Sequence, residues 1–190
     1  MTQDQQAVSN VLYYTEVAAP IGALVLVTTS KGLCRVAFGT MAQNQEGLLE
    51  WAARWFGKMT RLQEDVSSLA PVVAQLEEYF RGERLVFDGE LDLQGTEFQK
   101  KVWTALLSVP YGETASYKHI AEAIQSPKAV RAVGGANNKN PVPVIIPCHR
   151  IIGASGDLIG YAGGLNIKTS LLDLERLNRL QRLNTDPNNN

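Results

Sequence analysis

Residues 141–150, Pro141-Val142-Pro143-Val144-Ile145-Ile146-Pro147-Cys148-His149-Arg150, leave the backbone less freedom than any other stretch of this chain. Three prolines fix φ and supply no backbone N–H. The four residues among them are β-branched, stiff at χ1 and inclined to extended conformations. The sequence therefore predicts an extended path through an apolar interior, ending at a thiol beside an imidazole. A thiol held this rigidly reads as a nucleophile.

The chain has 190 residues, 45% of them hydrophobic and 19% charged, enough for two small domains with buried cores. No apolar run reaches the roughly 20 residues of a membrane helix. Met1 to Gln6 carry neither the basic nor the apolar region of a secretory leader, so the cytoplasm is the expected compartment. The cysteines, Cys34 and Cys148, and the histidines, His119 and His149, are scattered. A structural zinc takes four closely spaced ligands, so no metal and no cofactor is expected. A disulfide between Cys34 and Cys148 stays open, although cytosolic chains seldom use one.

Net charge is −1, but the charges are unevenly spread. Residues 1–93 carry 7 Lys/Arg against 12 Asp/Glu; residues 94–178 carry 9 against 6. A basic second half is a weak pointer to a polyanion, because a small excess is also an ordinary solvated surface.

Residues 11–38 read as a β-meander, with turns at Pro20-Ile21-Gly22 and Ser30-Lys31-Gly32. Cys34 falls on one face with Val36 and Phe38, which suits an inert buried thiol. Helices are expected over 45–57 and 69–81, the second with Pro71 in its first turn. Val86-Phe87 and Leu91-Asp92-Leu93 suggest a last strand, and Gln94-Gly95 a hinge. The expected division is an α/β domain over 1–93, a second domain over 94–178, and a disordered tail over 179–190.

Thr96 to Gln99 fits a capping box that opens a helix with Phe98, Val102, Ala105 and Leu106 buried. Ser116 caps the next, whose apolar stripe is Tyr117, Ile120, Ala121 and Ile124, leaving His119 at the surface. Ser126 and Pro127 suit the N-cap and first position of a third helix running to Asn138. Two helices joined by a short turn are helix-turn-helix organisation, which core helix pairs also adopt. The third helix favours the DNA reading. Its Val130, Val133, Ala129 and Ala136 fall on one side, while Gly134, Gly135 and Asn138 lie within about 60° of Arg131 on the other. Two adjacent glycines weaken a helix by roughly 1 kcal/mol each relative to alanine. Close helix packing accounts for the glycines but would bury the arginine; a phosphate-lined minor groove accounts for both.

Residues 153–166 hold five glycines and Tyr161. They read either as a surface loop or as a pocket wall for a flat ligand. In the last helix, from Ile167 to about Leu177, Glu175 lies about 40° from Leu171 and about 60° from Leu172. It sits either at a core edge with its head in water or buried and paired. Lys168 and Asp173 read as solvated.

These motifs resemble the O6-alkylguanine-DNA alkyltransferases (methylated-DNA–protein-cysteine methyltransferases). The resemblance runs through Gly95-Thr96-x-Phe98-Gln99, Val102-Trp103, Pro110-Tyr111-Gly112, Ser116-Tyr117, Pro127 to Gly134, Asn140 to Arg150 and Gly160 to Gly164. It covers about residues 90–177. It implies a ribonuclease-H-like α/β N-terminal domain with an antiparallel sheet and helices. A mostly α, winged-helix-like DNA-binding domain with a helix-turn-helix would follow. Cys148 would take the alkyl group from O6 of guanine, once and irreversibly, with O4 of thymine a further candidate. His149 would act through a water on the thiol, Glu175 would orient His149, and Asn140 would brace the turn. Tyr117 and Arg131 would extrude the nucleotide from double-stranded DNA entered by the minor groove, beside Ala129, Gly134 and Gly135. Tyr117, Val142, Pro143, Tyr161, Ala162 and Gly163 would form the base pocket. Ala162 stands where some members have serine. The protein would act as a monomer, without a membrane, in the cytoplasm and on the nucleoid when bound to DNA.

The same residues admit two rival readings. One is a helix-turn-helix module that binds alkylated DNA without repairing it; a retained Cys148 weighs against it. The other is a thiol hydrolase using Cys148, His149 and Glu175, for which a nucleophile and base adjacent in sequence are awkward.

Overall fold

A computed structural model describes residues 10–185. Residues 1–9, including Met1 to Gln6 where no leader is expected, and residues 186–190 of the expected tail lie outside the described residues. The chain falls into two compact units. One gathers the chain up to Val73 with Gly89–Gln94; the other gathers Ala74–Asp88 with the chain from Gly95 onward.

In the first unit, strands β1 (Val11–Ala19), β2 (Gly22–Thr29) and β3 (Gly32–Phe38) form the predicted antiparallel meander. The purely antiparallel expectation fails at the other edge. A fourth strand, β4 (Arg61–Glu64), pairs parallel with β1, so the sheet is mixed and ordered β3-β2-β1-β4. Arg61-Leu62-Gln63-Glu64 has little strand character of its own; it is extended because β1 supplies partners. The strand expected near Leu91 reduces to an isolated bridge with Leu33.

Helix α1 (Met41–Phe56) starts earlier than its apolar stripe suggests, because Thr40 and Gln43 form a capping box. Leu12, Val25, Val27, Cys34, Ala37, Leu48 and Ala52 make the apolar core between sheet and helix. Helix α2 (Val66–Phe80) begins after Asp65, whose Oδ1 accepts from the backbone of Ser67 and Ser68. Pro71 thus sits inside the helix, beyond its first turn.

The second unit is mainly helical: α3 (Glu97–Leu106), α4 (Tyr117–Ala123), α5 (Val130–Asn138) and α6 (Leu165–Thr185). The boxes read from sequence form. Thr96 Oγ1 accepts from the backbone of Gln99 at 3.2 Å, and Gln99 Oε1 accepts from Thr96 N at 2.9 Å. Ser116 Oγ accepts from His119 N, and His119 is exposed. Along α3 the buried residues are Val102, Trp103 and Leu106, with Trp103 Nε1 donating to Ala136 O on α5 at 2.8 Å.

Helix α5 begins at Val130, three residues later than expected, because Ala129 N closes a turn onto Ser126 O. Ala129 becomes the N-cap and Ser126 does not cap. Strands β5 (Ala115–Ser116) and β6 (Ile151–Ile152) form a two-residue parallel pair. Helix α6 runs past Leu177 to Thr185, correcting the tail expected from 179. Long-range contacts hold its end: Arg179 pairs with Glu113 at 3.1 Å, and Arg182 donates to Gly82 O and Glu83 O. Among the described residues no helix is long and apolar enough to cross a membrane.

Candidate active site

Every residue from Asn140 to Ile151 is buried. The path is not extended as the sequence suggests; it is a chain of tight turns. Prolines have no N–H to give a ladder, so other groups close the segment. Ile146 N donates to Val142 O at 2.9 Å, and Cys148 N to Ile146 O at 2.8 Å. The Asn140 carboxamide spans the turn, Nδ2 donating to Ile146 O at 2.8 Å and Oδ1 accepting from Val142 N at 3.0 Å. Inside this frame Val144 has φ +75°, a left-handed conformation strained for a β-branched residue and held by its surroundings.

Cys148, His149 and Arg150 then form one turn of 3-10 helix. Its Cys148 carbonyl accepts from Asn137 Nδ2 at 3.4 Å. The thiol is 2% exposed, and burial pushes it up to about 11 from 9.0 against the opposing pull of Asn140, Lys168 and Tyr161. At neutral pH it is therefore protonated and needs a base.

The next side chain along the turn is the imidazole of His149. His149 is fully buried, and its Nε2 lies 2.8 Å from Glu175 Oε1. Burial lowers its pKa, with Glu175 opposing, so the ring is neutral at pH 7. A carboxylate partner fixes the proton on Nε2, which leaves the lone pair on Nδ1. That Nδ1 is buried without a hydrogen-bond partner in the protein. The Tyr161 ring meets His149 edge-on, centroids 6.5 Å apart, and its phenol pKa is raised by burial and by the nearby Cys148.

Helix α6 decides between the two readings of Glu175. Lys168, Leu171 and Glu175 recur on one face, and all three are 0% exposed. The carboxylate accepts five bonds. Oε1 takes Tyr79 Oη at 2.7 Å, His149 Nε2, and Arg150 Nη2 at 3.0 Å. Oε2 takes Arg150 Nε at 2.9 Å and the Gly112 backbone at 2.9 Å. Gly112 has φ +71°, which aims its N–H at the carboxylate. Burial alone would raise the Glu175 pKa; His149 and Arg150 hold it down at about 2.

Lys168, read as solvated, is buried instead, with Nζ donating to Ile151 O at 2.6 Å and Ile159 O at 3.0 Å. Sequence reasoning also missed Tyr79, Arg150 and Asn137 as neighbours of this centre. A signal existed for Tyr79: it follows Leu69 and Leu76 on the buried face of α2, and a buried phenol needs a partner.

The remaining site residues divide by exposure. Val142, Pro143 and Tyr161 are buried near the thiol's turn, Gly163 is half-buried, and Ala162 is exposed. Tyr117 is half-buried, with its hydroxyl 3.4 Å from Ile159 O. Arg131 and Gly135 are exposed on α5, while Ala129 and Gly134 are half-buried. Close helix packing does not explain the glycines: a Cβ at Gly135 would meet nothing within 4 Å, and one at Gly134 only the Tyr117 ring at 3.8 Å. Cys34 takes no part; both cysteines are free thiols.

Comparisons with known proteins agree along almost the whole chain. Residues 12–93 match the family "6-O-methylguanine DNA methyltransferase, ribonuclease-like domain", and residues 97–177 the corresponding "DNA binding domain". A methylated-DNA–protein-cysteine methyltransferase of Mycobacterium bovis is 45% identical over 165 residues, 87% of this chain and 93% of its own. One of Methanosarcina barkeri is 45% identical over 167 residues, 88% of this chain and 99% of its own. Among solved structures, Mycobacterium tuberculosis OGT in complex with DNA superposes with a TM-score of 0.75 at 45% identity, covering 87% of this chain and 93% of that one. With a sheet-and-helix N-terminal domain and a helical DNA-binding domain both matched, this chain belongs to the 6-O-methylguanine DNA methyltransferase family.

Proposed function

We propose that this protein repairs DNA by direct reversal, moving a methyl or other alkyl group from O6 of guanine to Cys148. The observation that carries the reading is the buried thiol next to a neutral imidazole whose Nε2–H is committed to Glu175 and whose Nδ1 is unengaged. The thiol proton passes through a water to His149 Nδ1. The sulfur then attacks the alkyl carbon, an S–C bond forms, and the C–O6 bond breaks. The electron pair leaves with guanine, which takes up a proton in the pocket, so a thiol and an alkylated base become a thioether and guanine. Tyr117 is the donor that eases the departing charge. The thioether has no second step, so each molecule reacts once.

A target atom inside a duplex is out of reach of a buried sulfur, so the nucleotide must be extruded at a cost of a few kcal/mol. Exposed Arg131, beside the open surface of Gly134 and Gly135 and next to Ala129, fits the minor groove and fills the vacated stack. Val142, Pro143, Tyr161, Ala162 and Gly163 form the base pocket, and Asn140 braces its floor. Residues 94–178 carry binding and transfer. The sheet order β3-β2-β1-β4 with β4 parallel supports a ribonuclease-H-like unit. The helical unit is winged-helix-like, and the protein works as a cytoplasmic, nucleoid-binding monomer on double-stranded DNA.

Incubation with duplex DNA carrying a labelled methyl on guanine O6, followed by peptide mapping, tests this. One label per protein at Cys148 is expected. Binding without label would make the protein a lesion binder, and label elsewhere would overturn the assignment.

A further inference from the structure

We propose that Tyr79 is a positioning residue for alkyl transfer, setting through Glu175 the basicity of His149. The inference rests on the relay of the preceding section. Tyr79 lies one residue before the end of α2, ahead of the 94–178 segment, yet it is fully buried in the same compact unit as the relay. Its ring is fixed by Phe80, Phe87 and Tyr111, with centroids 5.3, 5.3 and 5.8 Å away. The hydroxyl is thereby aimed at Glu175 Oε1, 2.7 Å away, the oxygen that also receives His149 Nε2 at 2.8 Å.

Two donors on one oxygen share its negative charge. The phenol stays protonated throughout the working range, because burial and Glu175 push its pKa far up. It is a permanent dipole competing with His149 for Oε1. When Nδ1 takes the thiol proton, the imidazolium is stabilised by whatever charge Oε1 still presents. With the hydroxyl in place His149 is the weaker base; without it Oε1 attracts the ring proton more strongly and His149 becomes more basic. The other groups facing the pair are the Arg150 guanidinium on both oxygens, the Gly112 N–H, Tyr111 beside Tyr79, Lys168 and Tyr161 around the imidazole, and Cys148 beside Tyr161. Tyr79→Phe leaves all of these in place.

The test measures transfer rate against pH, and the His149 imidazole titration by NMR, in wild type, Tyr79→Phe and Tyr111→Phe. The last variant loses a hydroxyl from the same aromatic cluster but none from Glu175. In wild type the acid limb of the rate should follow the His149 titration. In Tyr79→Phe both should move to higher pH by about one unit, slowing transfer about tenfold on the limb and little above it. Tyr111→Phe should leave both in place. If Tyr79→Phe lowers the melting temperature but moves neither curve, Tyr79 only packs and the proposal fails. If the wild-type limb ignores the His149 titration, the relay itself is wrong, whatever Tyr79 does.

Discussion

Cys34 and Cys148 are both buried, and burial raises both thiols, to about 12 and about 11. What separates them is the company each keeps. Cys34 lies in β3, its Sγ 3.2 Å from the Val27 carbonyl within an apolar core. A thiolate formed there would meet a carbonyl dipole of the wrong sign, and Asp92 raises its pKa further. Around Cys148 stand Asn140, Tyr161 and Lys168, all favouring the anion, and the next residue carries an imidazole whose Nδ1 has no hydrogen-bond partner in the protein. Burial alone thus makes a thiol inert. Burial beside a base and donors makes one that is quiet until a substrate arrives.

The largest effect should come from exchanging the two roles. Cys148→Ala should abolish transfer while still binding duplex DNA, and Cys34→Ala should transfer at close to the wild-type rate for about 1 kcal/mol of stability. A labelling assay and a denaturant titration check both; transfer surviving in Cys148→Ala would erase the contrast. Next comes the carboxylate. Glu175→Gln leaves the buried Arg150 without its counter-charge and should lower stability by about 3–5 kcal/mol while slowing transfer. A denaturation midpoint close to wild type would show that the carboxylate is not the hub its five bonds suggest.

The smallest effects are in the pH dependence of melting. Folded thiols with raised pKa values hold protons that the unfolded chain releases above about 9, so stability present below that pH is lost as it rises towards 11 and 12. Cys34→Ala should flatten part of that loss. On the acid side the sign reverses. Unfolded Glu175 takes a proton near 4.5, which the folded protein refuses until about 2, so stability falls through that window. Lowered His149 starts the same trend below 6.5. A melting temperature unchanged from pH 6.5 to 3 would contradict both groups.

Local signals carry through to the structure where a few neighbouring residues decide, as in the caps at Thr96 and Ser116 and the succession of α4 and α5. What was missed depends on partners far along the chain. A helical wheel places Glu175 against leucines, but nothing local says that Tyr79, Gly112, His149 and Arg150 converge on it. Lys168 read as solvated because an isolated lysine usually is; its two acceptors are carbonyls of Ile151 and Ile159, invisible as residue types. Strand β4 exists through its pairing with β1, and the end of α6 through arginines reaching Gly82, Glu83 and Glu113. The proline-rich floor reads as extended in the sequence and turns in the structure, because three prolines describe φ and not where Asn140 closes the path.

The closed packing of that floor has a consequence for how repair capacity is counted. A group delivered to Cys148 enters an interior where residues 140–151 are all buried, and extra carbon in a well-packed core typically costs about 1–3 kcal/mol. With Cys148 as the acceptor, the spent protein should melt at a lower temperature than the fresh one, a difference a thermal scan would read. Its useful stock behaves like a reagent consumed mole for mole, so the number of lesions it can clear is fixed by how many folded copies are present rather than by how fast each works.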